Sequence, residues 1–311
     1  MSKQTVSLVL GSGAARGLAH IGVIEWLNEH DYRIESIAGA SMGALVGGIY
    51  AAGELESYKQ WVLALEKMDV IRFLDLAFSS EGLFKGDRLM DALREMVGDR
   101  NIEDLPMTYT AVACDLERRR EVWFTDGLLF DAIRASIAIP SVFTPHRYRG
   151  MKLLDGGLLN PVPIAPTFKD MTDLTIAVDL NATRAPDTAP DSNKENREPP
   201  SGKSASHHAT VQGFLDSIQN SIQKNIEERR DNNLGMFDLL SSSFETMQNA
   251  ISSMKLASYA PDVHIQIPRS ACKAYEFDRA AELIELGYTL AGKAVGSRPD
   301  SCRKNTTSKA D

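Results

Sequence analysis

The chain has 311 residues, 43% of them hydrophobic and 24% charged, and a formal net charge of −8. That length can bury a large core in one main domain or two small ones, and the acidic balance argues against a nucleic-acid binder, which carries a basic excess. Three cysteines, Cys114, Cys272 and Cys302, lie far apart without metal-ligand spacing and in odd number, so reduced thiols in a reducing compartment are expected and neither a disulfide framework nor a metal site is.

Met1 to Thr5 runs straight into a strand pattern, with no long apolar stretch or cleavage site of a signal peptide, so a cytoplasmic protein is expected. Val6 to Leu10 reads as a buried strand, followed by the glycine loop Gly11-Ser12-Gly13-Ala14-Ala15-Arg16-Gly17. Leu18, Ile21, Ile24 and Leu27 recur at helical spacing as far as His30. A second strand, Ile34 to Ala38, leads through Gly39-Ala40-Ser41-Met42-Gly43 into a helix ending at Ala52. The low-charge run from Ile37 to Gly53 is too short and too rich in glycine and alanine for a membrane span. Strand–helix–strand–helix order implies an α/β protein with a parallel sheet and helices on its faces.

Val62 to Phe78 is apolar at helical spacing and is expected to be a helix, in the core or lining an acyl slot through Met68, Ile71, Phe73, Leu74, Leu76 and Phe78. Thr108 to Cys114 and Glu121 to Phe124 form a hairpin around a charged turn, Leu116 to Arg120. Ala132 to Ala138 is a short helix stopped by Pro140. Met151 to Leu154 is a strand ending in Asp155-Gly156-Gly157, and Leu174 to Leu180 is a further core strand. Residues 182–210 carry almost no large apolar side chain and read as a disordered linker or loop. Residues 211–260 read as a helical insert with a break near Asn232 to Gly235. A packed or oligomerising helical pair suits its mixed charges better than a membrane-surface helix, and Met236, Met247 and Met254 suit an adaptable contact surface. Val263 to Ile267 is a strand, Tyr275 to Val295 a final helix, and 297–311 a disordered tail.

Gly-x-Ser-x-Gly after a strand permits a sharp turn that exposes a serine hydroxyl as a nucleophile. The loop after the first strand has two readings. Its Gly-x-Gly-x-x-x-Gly spacing differs from a dinucleotide fingerprint, and the second strand does not end in the acidic residue that would bind a ribose. A small-residue loop entering a helix also supplies backbone N–H donors for an oxyanion, with Arg16 either orienting the loop or attracting an anionic head group. No histidine is well placed as a triad base: His207 and His208 fall in the linker, His264 inside a strand and His20 in the first helix. Asp155 is better placed, at a strand end before two glycines, and burial beside Met151, Leu153 and Leu154 would raise its pKa toward that of a working base.

Gly13-Ala14-Ala15-Arg16-Gly17, Gly39-Ala40-Ser41-Met42-Gly43 and Asp155-Gly156-Gly157 together resemble the patatin-like phospholipases, in particular small bacterial members related to the catalytic domain of neuropathy target esterase. Ala135-Ser136 with Pro140, Phe143 and Pro145, and Asn160-Pro161-Val162-Pro163, extend the match over Val6 to Asn181 and again from Pro261 to about Val295. The resemblance implies a three-layer α/β/α fold with a mostly parallel sheet, a core over 5–181 completed by 261–296, and a Ser–Asp dyad without a catalytic histidine. It makes Ser41 the nucleophile, Asp155 the base, and Ser12, Gly13 and Ala14 the oxyanion loop, with Arg16 close by; Gly-Ser-Gly-Ala stands where members often carry consecutive glycines. No cofactor or metal is implied. The substrate would be a phospholipid, lysophospholipid or other acyl ester, with peripheral membrane contact and pairing of copies through the insert as further expectations. A thioesterase, a general carboxylesterase or a non-catalytic lipid- or protein-binding regulator would fit the same motifs.

Overall fold

A computed structural model describes residues 3–65, 76–79, 82–182, 239 and 242–296. Its main sheet is built on β1 (Gln4–Leu10), which pairs in parallel with β2 (Tyr32–Ala40) on one side and with β10 (Leu174–Ala182) on the other. β11 (Val263–Pro268) extends the β10 edge and β5 (Thr108–Asp115) the β2 edge, both in parallel. Antiparallel β6 (Arg120–Phe124), β9 (Met151–Asp155) and β8 (His146–Tyr148) complete it.

The two faces of β1 follow the period-2 rule. Val6, Leu8 and Leu10 enter the main core, whereas Val9 joins Ala177, Val162 and Ile164 on the opposite face, packed by Leu256 and Tyr259. The main-core face is covered by α1 (Ala19–Glu29), α2 (Met42–Ala51), α5 (Leu129–Ser136) and α7 (Ala280–Gly296), with α3 (Leu55–Leu63) and α4 (Asp87–Val97) contributing buried residues to the same cluster. The other face is covered by the segment 161–168 and by the C-terminal part of helix α6 (242–258). The expected three-layer arrangement with a mostly parallel sheet is what forms.

Several expectations change. No single helix spans Val62 to Phe78: α3 ends at Leu63, and Leu76–Ser79 is strand β3, paired antiparallel to β4 (Gly82–Phe84), which runs parallel to β7 (Ser141–Phe143) in a separate three-stranded sheet. A short apolar run fits either period, and here the partner strand decides. Met68, Ile71, Phe73 and Leu74 lie outside the described residues. The final helix starts at Ala280, after a one-turn 3-10 segment, and not at Tyr275. Among the described residues, those from Glu245 to Gly296 belong to the same compact unit as those up to Ala182. The linker and most of the insert (183–238), the histidines His207 and His208, Met236, and the tail 297–311 lie outside the described residues.

Candidate active site

The serine turn forms because two side chains are missing from it. A Cβ on Gly39 would stand 2.4 Å from the Gly43 carbonyl oxygen, and one on Gly43 would stand 2.0 Å from that of Leu10. Both are closer than real contacts permit, so only glycine lets β2, α2 and β1 converge here. Ser41 sits between them at φ 54°, ψ −123°, a left-handed conformation that costs a residue with a Cβ about 1–2 kcal/mol. Its backbone N–H donates to Ser136 Oγ (2.9 Å), and the Ser136 hydroxyl donates to the Val112 carbonyl (2.6 Å), which ties the end of α5 and strand β5 to the turn.

Sheet register brings Asp155 to the same point. Ala40, the last residue of β2, pairs with Val112, while Asp155, the last of β9, pairs with Ala113. Since β6 occupies the other edge of residues 111–115, β2 and β9 share one edge of β5 and meet end to end. Asp155 is fully buried; its N–H donates to the Ala138 carbonyl (2.9 Å) and its Oδ1 accepts the Gly157 N–H (2.7 Å). Oδ2 has no partner in hydrogen-bond geometry. Burial pushes the carboxyl up to about 7, against the opposing pull of the Ser41 hydroxyl and the Gly157 N–H. Ser41 thus bears on the carboxylate without completing a bond to Oδ2.

The loop after β1 abuts the turn, for a Cβ on Gly17 would fall 2.3 Å from Met42 Cβ. The Ser12 N–H is spent on the Pro161 carbonyl (2.8 Å), that of Ala15 on Ala274 (3.1 Å) and that of Arg16 on Gly13 (3.1 Å). Among the described residues, the N–H groups of Gly13 and Ala14 have no acceptor, nor do those of Met42 and Gly43 in the first turn of α2. Of the three residues expected as donors, Ser12 thus has its N–H bonded within the protein. Ala14 holds φ 48°, the left-handed conformation for which glycine is usual.

Arg16 orients the loop and offers no free charge to a head group. It is buried, and its guanidinium donates to the Leu180 and Cys272 carbonyls, to Asn181 Oδ1 and to Glu245 Oε1 at 2.9–3.3 Å. His20 supports the same loop from below. Its Nε2–H donates to the Gly11 carbonyl (2.9 Å), and burial drives the ring down to about 4, so it is neutral at pH 7. His264 stands on β11, at the edge of the sheet two strands beyond β1, beside Asp179.

The structure brings Ser41, Asp155 and the loop after β1 to one place; the hydrogen-bonding role expected of His20 goes to the Gly11 carbonyl, while the task of Ser136 depends on partners distant in sequence. The pair Ala135-Ser136 was noticeable only through the resemblance.

A turn that presents a strained serine beside a buried carboxyl with a raised pKa, next to unoccupied N–H donors, is the constellation of an acyl-transfer enzyme. A family profile described as "Patatin-like phospholipase" matches residues 8–168. An uncharacterised NTE family protein of Mycobacterium tuberculosis is 39% identical over 94% of this chain and 92% of its own length. The lysophospholipase NTE1 of Yarrowia lipolytica is 29% identical over 58% of this chain but only 13% of its own length, and the patatin-like phospholipase domain-containing protein 7 of Rattus norvegicus is 31% identical over 58% and 14%. The class is that of carboxylic ester hydrolases of the phospholipase type. Within it, the chain belongs to the patatin-like phospholipase family.

Proposed function

We propose that the protein hydrolyses carboxylic esters of phospholipids or lysophospholipids through a Ser41–Asp155 dyad and an acyl-enzyme. The observation that carries this proposal is the buried Asp155, its Oδ2 unpartnered and its pKa near 7, end to end with the serine turn. A base poised near the operating pH combines adequate ionisation with adequate proton affinity.

Asp155 takes the hydroxyl proton as Ser41 Oγ attacks the ester carbonyl. The negative charge that develops on the carbonyl oxygen is received by the N–H groups of Gly13 and Ala14, aided by the N-terminal turn of α2. The intermediate collapses, the C–O bond to the leaving alcohol breaks, and protonated Asp155 returns the proton to that alcohol. Water then attacks the acyl-serine, giving its proton to Asp155. Collapse releases the fatty acid, and Ser41 is reprotonated from Asp155. Arg16 and His20 hold the loop and touch no reacting atom. The lysophospholipase name of the Yarrowia relative, which matches 58% of this chain, supports lysolipids as substrates. Among the described residues no helix is long and apolar enough to cross a membrane. Access to lipid would be peripheral, which vesicle co-sedimentation checks.

The decisive comparison is hydrolysis of a short-chain nitrophenyl ester and of a lysophospholipid by wild type, Ser41→Ala and Asp155→Asn. Loss on the order of 10⁴-fold in both variants is expected. Wild-type rates in Ser41→Ala would refute the mechanism, and an inert wild type would favour a non-catalytic regulator. Preference for thioesters over both substrates would replace the lipid assignment and keep the dyad.

A further inference from the structure

Helix α6 sends one polar stripe into the region of the site. Glu245, Gln248, Ser252 and Lys255 follow one another at spacings of three and four residues, so they share a face. Glu245 pairs with Arg16 (3.2 Å) and Arg269 (2.6 Å). Lys255 pairs with Glu121 (2.7 Å), which also accepts from Asn160 Nδ2 (2.8 Å). Between them, Gln248 is almost completely buried, and its Nε2 donates to Ser12 Oγ (3.1 Å). The same nitrogen stands 2.2 Å from where a Cβ on Gly157 would lie, so the amide packs against the turn whose N–H holds Asp155 Oδ1, in space that only a glycine leaves open.

From these contacts we infer that Gln248 is a positioning residue for the hydrolase proposed above, fixing the oxyanion loop and the aspartate turn at once. The need for it follows from the loop itself. Ser12 is the last residue anchored before the two free donors: its N–H is bonded to Pro161 and its carbonyl accepts from Asn181 Nδ2 (2.9 Å). The next anchor is Ala15. Between the anchors, Ala14 holds a left-handed conformation that disfavours a residue with a Cβ, so the loop relaxes away from its donor geometry unless both ends are held. Gln248 holds the Ser12 end through its side chain, and Glu245 holds Arg16 on the far side. Burying a primary amide costs free energy unless its hydrogen bonds are made, so an apolar residue would serve better if packing were the only task. Oxyanion donors act through geometry set before the reaction; a small displacement lowers the rate of the chemical step without weakening ground-state binding.

The test is a double-mutant cycle on the full chain. Gln248→Met keeps the side-chain volume and removes the donor; Ser12→Ala removes the acceptor. Each is expected to lower kcat about 10-fold with KM within about twofold, by the same factor on a short nitrophenyl ester and on a lysophospholipid. The double variant should lose about 10-fold as well, and not about 100-fold, because both changes break one link. Thermal melts ensure that rates refer to folded protein, and Gln248→Glu, which keeps the link with its direction reversed, the carboxylate accepting from the Ser12 hydroxyl, provides a second variant should Gln248→Met fail to fold; about threefold loss or less is expected of it. Wild-type kcat in Gln248→Met, multiplicative losses in the double variant, or a raised KM with kcat unchanged would each overturn the positioning role. Ser41→Ala in the same assay separates the two claims: if it is inactive while Gln248→Met matches wild type, only the positioning role falls, whereas full activity in Ser41→Ala removes the hydrolase mechanism on which it rests.

Discussion

Helices α1 and α7 approach through Gly22 and Gly287, each of which would place a Cβ 1.9 Å from a carbonyl oxygen of the other helix. Gly39 and Gly43 bring β2, α2 and β1 together just as closely. The helix pair uses the approach for packing alone, with Trp26 of α1 set beside Gly292 of α7 and ordinary backbone on both sides. At the serine turn it holds Ser41 in a conformation that costs free energy, beside a carboxylate oxygen with no partner. One packing device therefore stabilises the fold in one place and, in the other, maintains states that an isolated segment would abandon. Strain and unmet polar groups concentrate where chemistry is done, and well-packed regions elsewhere offset them.

Changes to the two glycine contacts should separate these roles. The largest effect is expected for Gly43→Ala, which drives the start of α2 away from Leu10: hydrolysis should fall on the order of 100-fold and stability by about 3 kcal/mol. Gly287→Ala should cost about the same stability in urea melts while kcat per folded molecule falls by less than about 10-fold, because Gly287 meets Ala19 at the start of α1 and not the serine turn. Equal losses of activity in the two variants would break the distinction. Ser136→Ala leaves the Ser41 N–H without its acceptor; about 10-fold in kcat and about 1–3 kcal/mol in stability are expected, separable by kinetics and melts on one preparation.

The smallest effect has an unusual sign. Asp155 has a folded pKa near 7, above its unfolded value, so the native state favours the protonated carboxyl and loses that advantage as pH rises toward 7. Asp155→Asn, which remains neutral, should raise Tm relative to wild type by about 3 °C at pH 8 and by less at pH 5. A stabilising mutation that abolishes activity would mark the carboxylate as held for function.

Much of this was legible because the decisive signals are local. Gly39 to Gly43 and Asp155 to Gly157 state their turns in contiguous residues, and β1, β2 and β10 declare themselves as buried apolar runs. What could not be read depends on partners remote in sequence. The end-to-end meeting of β2 and β9 follows from β5 having both as neighbours, which no periodicity encodes. Arg16 appeared as a possible head-group ligand because its acceptors at Leu180, Asn181, Glu245 and Cys272 are up to 256 residues away. Helix α6 read as part of an insert since its polar stripe resembles a solvated face until Ser12, Glu121 and Arg16 are placed against it. Strand β3 was taken into a helix because its partner, β4, is only three residues long.

The central claim is that Asp155 activates Ser41 directly, and the rate of covalent labelling of Ser41 by a fluorophosphonate as a function of pH tests it. Labelling should localise to the peptide carrying Ser41 and rise with pH through an apparent pKa near 7; at pH 5 the rate should be about 1% of its plateau. In Asp155→Asn it should be slow and independent of pH across that range. Rapid labelling of Ser41 in Asp155→Asn with the same pH dependence would contradict the dyad and assign the base to another group.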